Sequence, residues 1–418
     1  MYTEKNHAGE GENMQRERNL DFDRVVDRHQ TDCLKYDFAV RRGKPKDVLP
    51  LWVADMDFPT SSYVLDALQE RVAHGIFGYT ESGESYFEAA AEWMERRHGW
   101  QVKPEWLVKT PGVVFGLAMA VKAFTDEGDS VLIQQPVYYP FTEVVADNDR
   151  RVVSSDLVLG ADGRYHIDFE DFEKKIVENH VKLFLLCSPH NPVGRVWRRE
   201  ELLRIGELCL KHGILVVSDE IHQDFVFGKN RHLVFASLKP EFEAISITCT
   251  SPAKTFNLAG LQVSNLFIPD PALRRKFRRQ IAAAGYSQLN AMGLTAGEAA
   301  YRYGETWYKG VLAYIEQNIA YLKTYLDREL PEIRMTEPEG TYLVWLDFRA
   351  LGLTGPELER LVVYKARLWL DSGSIFGPAG EGFQRINVAC PRATLEQALE
   401  QLKRAVLEVH DVKSRSER

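Results

Sequence analysis

Residues 250–262 read Thr250-Ser-Pro-Ala-Lys-Thr-Phe-Asn-Leu-Ala-Gly-Leu-Gln262, and the setting of their one lysine decides how the chain is to be read. Lys254 follows an apolar, β-branched run, Ala244-Ile-Ser-Ile-Thr248, and precedes a glycine-containing apolar segment. Hydroxyls flank it at Thr250, Ser251 and Thr255. The run predicts a buried strand, and a lysine at its end loses hydration, which disfavours the charged amine. An amine poised in that way forms a Schiff base with a carbonyl compound. Ser251, three residues earlier, offers a hydroxyl to a phosphate. A lone lysine is far more often a surface residue in a turn, so the remaining chain must supply its partners.

Outward from this stretch, strands and helices alternate. Val131-Leu-Ile-Gln-Gln-Pro136, Arg151-Val-Val-Ser-Ser155, Leu183-Phe-Leu-Leu-Cys-Ser188, Ile214-Leu-Val-Val-Ser218 and Ile245-Ser-Ile-Thr248 are apolar or β-branched runs. Helical stretches such as 198–211 separate them, and Trp106–Val114 passes from strand to helix. This pattern predicts strands buried on both faces of a mostly parallel sheet, with Val263–Ile268 as a further strand. The class is α/β, with helices covering both faces of the sheet in a large domain. Beyond Leu294 long helical stretches give way to strand-like 341–348 and 383–388, with helices around 356–370 and 395–406. That pattern predicts a smaller α+β domain. The expected organisation is a disordered extension over 1–20, a segment 21–55 joining the small domain, the large domain over 56–293, the small domain over 294–410, and a tail at 411–418.

The bulk properties narrow the function. The 418 residues suffice for two domains. A formal net charge of -8 and the lack of a basic stripe argue against a nucleic-acid partner. No window approaches the ~20 apolar residues of a membrane span, and the N-terminus lacks the apolar core of a signal peptide. Cys33, Cys187, Cys209, Cys249 and Cys390 are scattered, odd in number and contain no Cys-x-x-Cys pair. Reduced thiols in a cytoplasmic protein, with no metal site, are expected.

Open α/β sheets bind ligands beyond the carboxyl ends of their strands, so the residues just after each run carry the chemistry. Pro111-Gly-Val-Val114 opens a helix, where backbone N–H groups and the helix dipole suit a phosphate. Tyr138, in Pro136-Val-Tyr-Tyr-Pro140, is placed to stack on a flat heterocycle, or else packs on the core. Asn191, in Ser188-Pro-His-Asn-Pro-Val-Gly194, can donate to a phenolic oxygen or a carboxylate, although asparagine also suits such a turn locally. Asp219, in Ser218-Asp-Glu-Ile-His222, needs a cation or donor at a buried strand end. It either faces a pyridinium nitrogen or caps a helix. With Lys254 and Ser251, these places suggest a pocket for pyridoxal phosphate (PLP).

The joint pattern Asn191-Pro-x-Gly194, Asp219-Glu-x-His222 and Ser251-x-x-Lys254 resembles the fold-type I PLP enzymes of the class I/II aminotransferase superfamily. Trp52-Val-Ala-Asp-Met-Asp-Phe58, Lys254-Thr-Phe-Asn-Leu-Ala-Gly260 and Arg385-Ile-Asn-x-x-Cys-Pro391 resemble, more narrowly, the MalY/PatB-type C–S β-lyases, over about residues 21–410. The resemblance implies an aspartate aminotransferase-like fold and a cystathionine β-lyase-like activity. Lys254 then holds PLP and moves the substrate's Cα proton. Asp219 pairs with the ring nitrogen, Asn191 and His222 address the ring's 3-oxygen, and Tyr138 stacks on the ring. Gly112, Val113, Val114 and Ser251 hold the phosphate. Arg385, with Asn191 and Ala54, receives the substrate. For Arg385 an internal salt bridge is the alternative. Tyr79 matches a tyrosine that reaches the neighbouring subunit's phosphate, so a homodimer is implied. Many aminotransferases carry an arginine eight residues after the lysine, where this chain has Gln262. His222 stands where the aspartate aminotransferases carry tyrosine. Both departures favour α,β-elimination over transamination. An aminotransferase or a regulatory binding protein that keeps the fold remains the alternative.

Overall fold

Seven strands carry the site: β1 (Leu107–Thr110), β2 (Ser130–Ile133), β3 (Arg151–Ser154), β4 (Leu183–Cys187), β5 (Leu215–Asp219), β6 (Ser246–Thr250) and β7 (Ser264–Phe267). The computed structural model, which describes residues 17–416 with side chains to residue 408, arranges them in the order β1-β7-β6-β5-β4-β2-β3. The pairs from β6 through β3 are parallel, and β7 runs antiparallel to both its neighbours. A parallel return from β6 would need a crossover of a dozen or more residues, usually helical. The connection from Ser251 to Val263 is instead spent on short turns that present Lys254. Every residue of β4 and β6 is buried, which accounts for the unbroken apolar run of β4 and for the small and β-branched residues, Ser-Ile-Thr-Cys-Thr, of β6. The helix Val113–Phe124 lies on the sheet across Gly116, where a Cβ would come within 2.9 Å of Leu266 Cδ2.

The second sheet is antiparallel: β8 (Arg334–Met335), β9 (Leu343–Asp347), β10 (Asp371–Ser372) and β11 (Phe383–Asn387), in the order β8-β9-β11-β10. The long helices Glu305–Glu329 and Arg392–Ser416 pack together beside it. Leu49–Pro50 pairs in parallel with Leu368–Trp369. That pairing explains why the helix expected over 356–370 stops at Lys365: Arg367 turns at φ 54° and the next two residues are drawn into the strand pair.

Three further differences from the sequence reading have physical causes. The extension expected over 1–20 lies outside the described residues up to 16, but residues 17–20 are packed. Glu17 is buried and accepts hydrogen bonds from the Ser61 hydroxyl and the Ser62 N–H, while Arg18 pairs with Asp66. The helix from Arg392 continues to Ser416 through most of the expected tail. The helix Ala291–Tyr303 packs against Ser62–His74 and Glu84–His98, so the change of layer comes with the helix that begins at Glu305.

Candidate active site

In-register pairing sets Cys187, Asp219 and Cys249 side by side at the carboxyl ends of β4, β5 and β6. The turns just beyond these ends surround a cavity of about 220 Å³. Ala54, Gly112, Val113, Val114, Tyr138, Asn191, Asp219, His222 and Lys254 all line it. Nine of the residues singled out from sequence therefore converge, although Ala54 and Asn191 are 137 positions apart.

Lys254 sits on the single helical turn Pro252–Thr255, capped by Ser251. Its Nζ donates to the Ala54 carbonyl at 2.6 Å. Desolvation in the enclosed cavity brings its pKa down to about 8. Asp55 opposes that shift, Arg385 adds to it, and Asp219 opposes it. Asp219 is buried, and loss of hydration pushes its carboxyl up to about 7. A hydrogen bond from the Ile221 N–H at 3.1 Å, and the Lys254 cation, hold it from rising further. His222 is kept neutral by burial and by the cations Lys254 and Arg385, and its Nδ1 has no hydrogen-bond partner.

Arg385 enters from the second sheet, at the middle of β11. Nη1 donates to Asn191 Oδ1 at 2.9 Å, and Nη2 donates to the Trp52 carbonyl at 2.9 Å and to Asp371. The guanidinium lies 4.8 Å from the Phe376 ring centre, and its buried Nε has no partner. The internal salt bridge weighed as an alternative thus exists, beside the direct bond to a cavity residue. Burial raises the pKa of Asp371, and Arg385 opposes the rise.

Two expected residues do not line this chain's own cavity. The Ser251 hydroxyl donates to the Val263 carbonyl at 2.6 Å and accepts from the Ala253 N–H at 3.0 Å, so it is spent on shaping the lysine turn. Ser264, at the start of β7, reaches the cavity wall instead. Tyr79 is fully exposed and lines a separate surface pocket with Phe77 and residues 285–292, away from this chain's own cavity. Sequence reasoning missed Asp371 and Tyr342. Tyr342 is fully buried, and its hydroxyl donates to the same Ala54 carbonyl at 2.9 Å. Neither has a local signal, because each meets the site only through the second sheet.

The cavity fits PLP on its own observations. A buried carboxylate costs free energy unless a cation faces it, and a protonated ring nitrogen would supply one at Asp219. The orphaned His222 Nδ1 offers a partner to a ring oxygen. At Gly112, the N-cap of Val113–Phe124, no side chain caps the helix and a Cβ would meet nothing within 4 Å, so the first-turn N–H groups are open to an anion. The profile of the family described as "Aminotransferase class I and II" matches residues 46–402. The chain belongs to that family. Among its relatives, cystathionine beta-lyase PatB of Bacillus subtilis (strain 168) is 46% identical over 387 residues, covering 93% of this chain and all of that one. Protein MalY of Escherichia coli (strain K12) is 32% identical, covering 93% and 99% of the two chains. Cystalysin from Treponema denticola, whose crystal structure contains a pyridoxal 5'-phosphate cofactor, superposes with a TM-score of 0.90 at 36% identity, again covering 93% and 99%.

Proposed function

We propose that this chain is a PLP-dependent C–S β-lyase acting on L-cystathionine or a related cysteine S-conjugate by α,β-elimination. The observation that carries the reading is one cavity holding an amine brought down to about 8, a buried carboxylate opposite it and an arginine bonded to the cavity wall. Full-length similarity to a cystathionine β-lyase supports the choice of reaction. PLP, when bound, supplies a protonated heteroaromatic ring that stores the electron pair released at Cα.

The chain's own residues do the rest. Arg385 holds the substrate α-carboxylate through its planar fork, and Asn191 fixes the plane of that fork through Nη1. The carboxylate of Asp219 keeps a proton on the ring nitrogen. Tyr138 walls one face of the cavity, and Gly112, Val113 and Val114 offer N–H groups to the phosphate. Lys254 takes the Cα proton as the neutral amine, the Cβ–S bond breaks, and the thiolate leaves. With L-cystathionine the balance is one water consumed and homocysteine, pyruvate and ammonia formed.

We also read the protein as a cytoplasmic homodimer. Exposed Tyr79 beside exposed Ile76 and Phe77 supports a contact that carries Tyr79 into a neighbouring subunit's site, and five free thiols suit a reducing compartment. The deciding assay measures pyruvate and free thiol from L-cystathionine with no keto acid added. Turnover that depends on a keto acid would make the chain an aminotransferase. Absence of both activities with PLP bound would leave a binding protein.

A further inference from the structure

The Ala54 carbonyl serves two donors at once, the Lys254 amine at 2.6 Å and the Tyr342 hydroxyl at 2.9 Å. Both donors and the acceptor are held. The Tyr342 ring is buried edge-on between His222, with centroids 5.7 Å apart, and Phe225, at 4.8 Å. The strap that carries Ala54 is fixed on both sides. Asn387 Nδ2 donates to the Val53 and Asp55 carbonyls at 2.6 Å each, and the Met56 N–H donates to Asn257 Oδ1 at 3.0 Å. Asp55 is gripped by Arg28 at 2.5 Å, with the buried Lys35 amine 3.6 Å away. The carbonyl therefore cannot swing away to suit one donor alone.

We infer that Tyr342 is a positioning residue for Lys254: by sharing the Ala54 carbonyl it favours the neutral amine over the ammonium. The inference rests on Lys254 as the group that moves the Cα proton. An ammonium is a stronger hydrogen-bond donor than an amine, so an unshared carbonyl would stabilise the charged lysine. A second donor on the same oxygen spends part of its accepting strength and weakens that stabilisation. The other groups facing Lys254 pull both ways. Asp55 and Asp219 favour its charge, Arg385 disfavours it, and His222 is held neutral, while enclosure acts most strongly of all. Tyr342 adds to enclosure without bringing another charge into the cavity. The carbonyl also gives the amine a fixed resting place, so that it remains directed at the cavity whenever it is not bonded to cofactor.

The test is Tyr342→Phe, which deletes only the hydroxyl, with Asp55→Asn as the counter-variant. Two pH titrations are read on the full-length protein: kcat of the holoenzyme, and the rate at which cofactor-stripped protein captures added PLP. Both require the neutral amine. Tyr342→Phe should move both profiles to higher pH by roughly half a unit, a roughly threefold loss of rate on the acid limb, with KM unchanged. Asp55→Asn removes an anion that supports the ammonium and should move both profiles to lower pH. Superimposed wild-type and Tyr342→Phe profiles, a shift to lower pH, or a shift in only one titration would overturn the inference. A lowered melting temperature with unmoved profiles would assign Tyr342 to packing alone. If no thioether yields pyruvate, the lyase reading fails, whereas PLP capture still reports on Lys254 directly.

Discussion

Replacing Asp219 by asparagine should stabilise the cofactor-free protein at neutral pH while crippling it as an enzyme. Asp219 has an ordinary value of 3.8 and rises to about 7 in the folded chain because burial removes its hydration. The folded value is the higher one. The stability the protonated group contributes is therefore fully present below pH 4, lost as the pH rises to 7, and flat above. The gap of about three pH units amounts to about 4 kcal/mol in all, of which about 2–3 kcal/mol falls between pH 5 and pH 8. Asparagine keeps an oxygen for the Ile221 N–H and has no charge to desolvate. Some of the gain is returned, since the charge of Asp219 supports that of Lys254. We expect about 2 kcal/mol of widening between the urea-unfolding free energies of Asp219→Asn and wild type from pH 5 to pH 8, both without cofactor. With PLP present the order should reverse, because the asparagine cannot hold the ring-nitrogen proton, and turnover should fall by at least 100-fold, about 2.7 kcal/mol in the barrier. Parallel pH curves for the two cofactor-free proteins would show that Asp219 is already satisfied by its own chain and would refute the argument.

Lys254→Ala should leave the fold intact but retain no PLP that borohydride can fix to the chain, as mass spectrometry of the reduced protein would read. Arg385→Ala should raise KM and lower kcat, and also cost about 3–5 kcal/mol of stability, because it leaves Asp371 buried without its partner. Adding Asp371→Asn should return most of that stability in urea melts and none of the activity. Arg385→Lys should rescue activity poorly, since an ammonium cannot reproduce the planar fork. Tyr79→Phe should weaken PLP retention in a dimer seen by sedimentation. An active monomer would remove Tyr79 from the site.

The clearest readings came from residues whose chemistry conflicts with their surroundings. A lysine and an aspartate at the ends of apolar runs are costly unless they act on something, and both line one cavity. Ser251 carries a weaker signal, because a hydroxyl three residues before a lysine is equally suited to capping the turn, and here it accepts from the Ala253 N–H. The helix expected over 356–370 ends early, at Lys365, for the opposite reason. Its local propensity was sound, but Leu368 and Trp369 are captured by a strand more than 300 positions away.

Local sequence by itself determined the α/β class, the order of strands and helices, and the residues at the strand ends, because burial period and turn chemistry are written within a few positions. Tertiary structure alone decided that Asp371 holds Arg385, that Tyr342 and Lys254 share the carbonyl of Ala54, and that Glu17 anchors the start of the described chain. Each of these is a contact between segments distant in sequence, set by how the second sheet and the N-terminal strap close on the first. Hydrogen bonding and desolvation depend on distances of a few ångströms, and no pattern along the chain encodes those distances until the chain has folded.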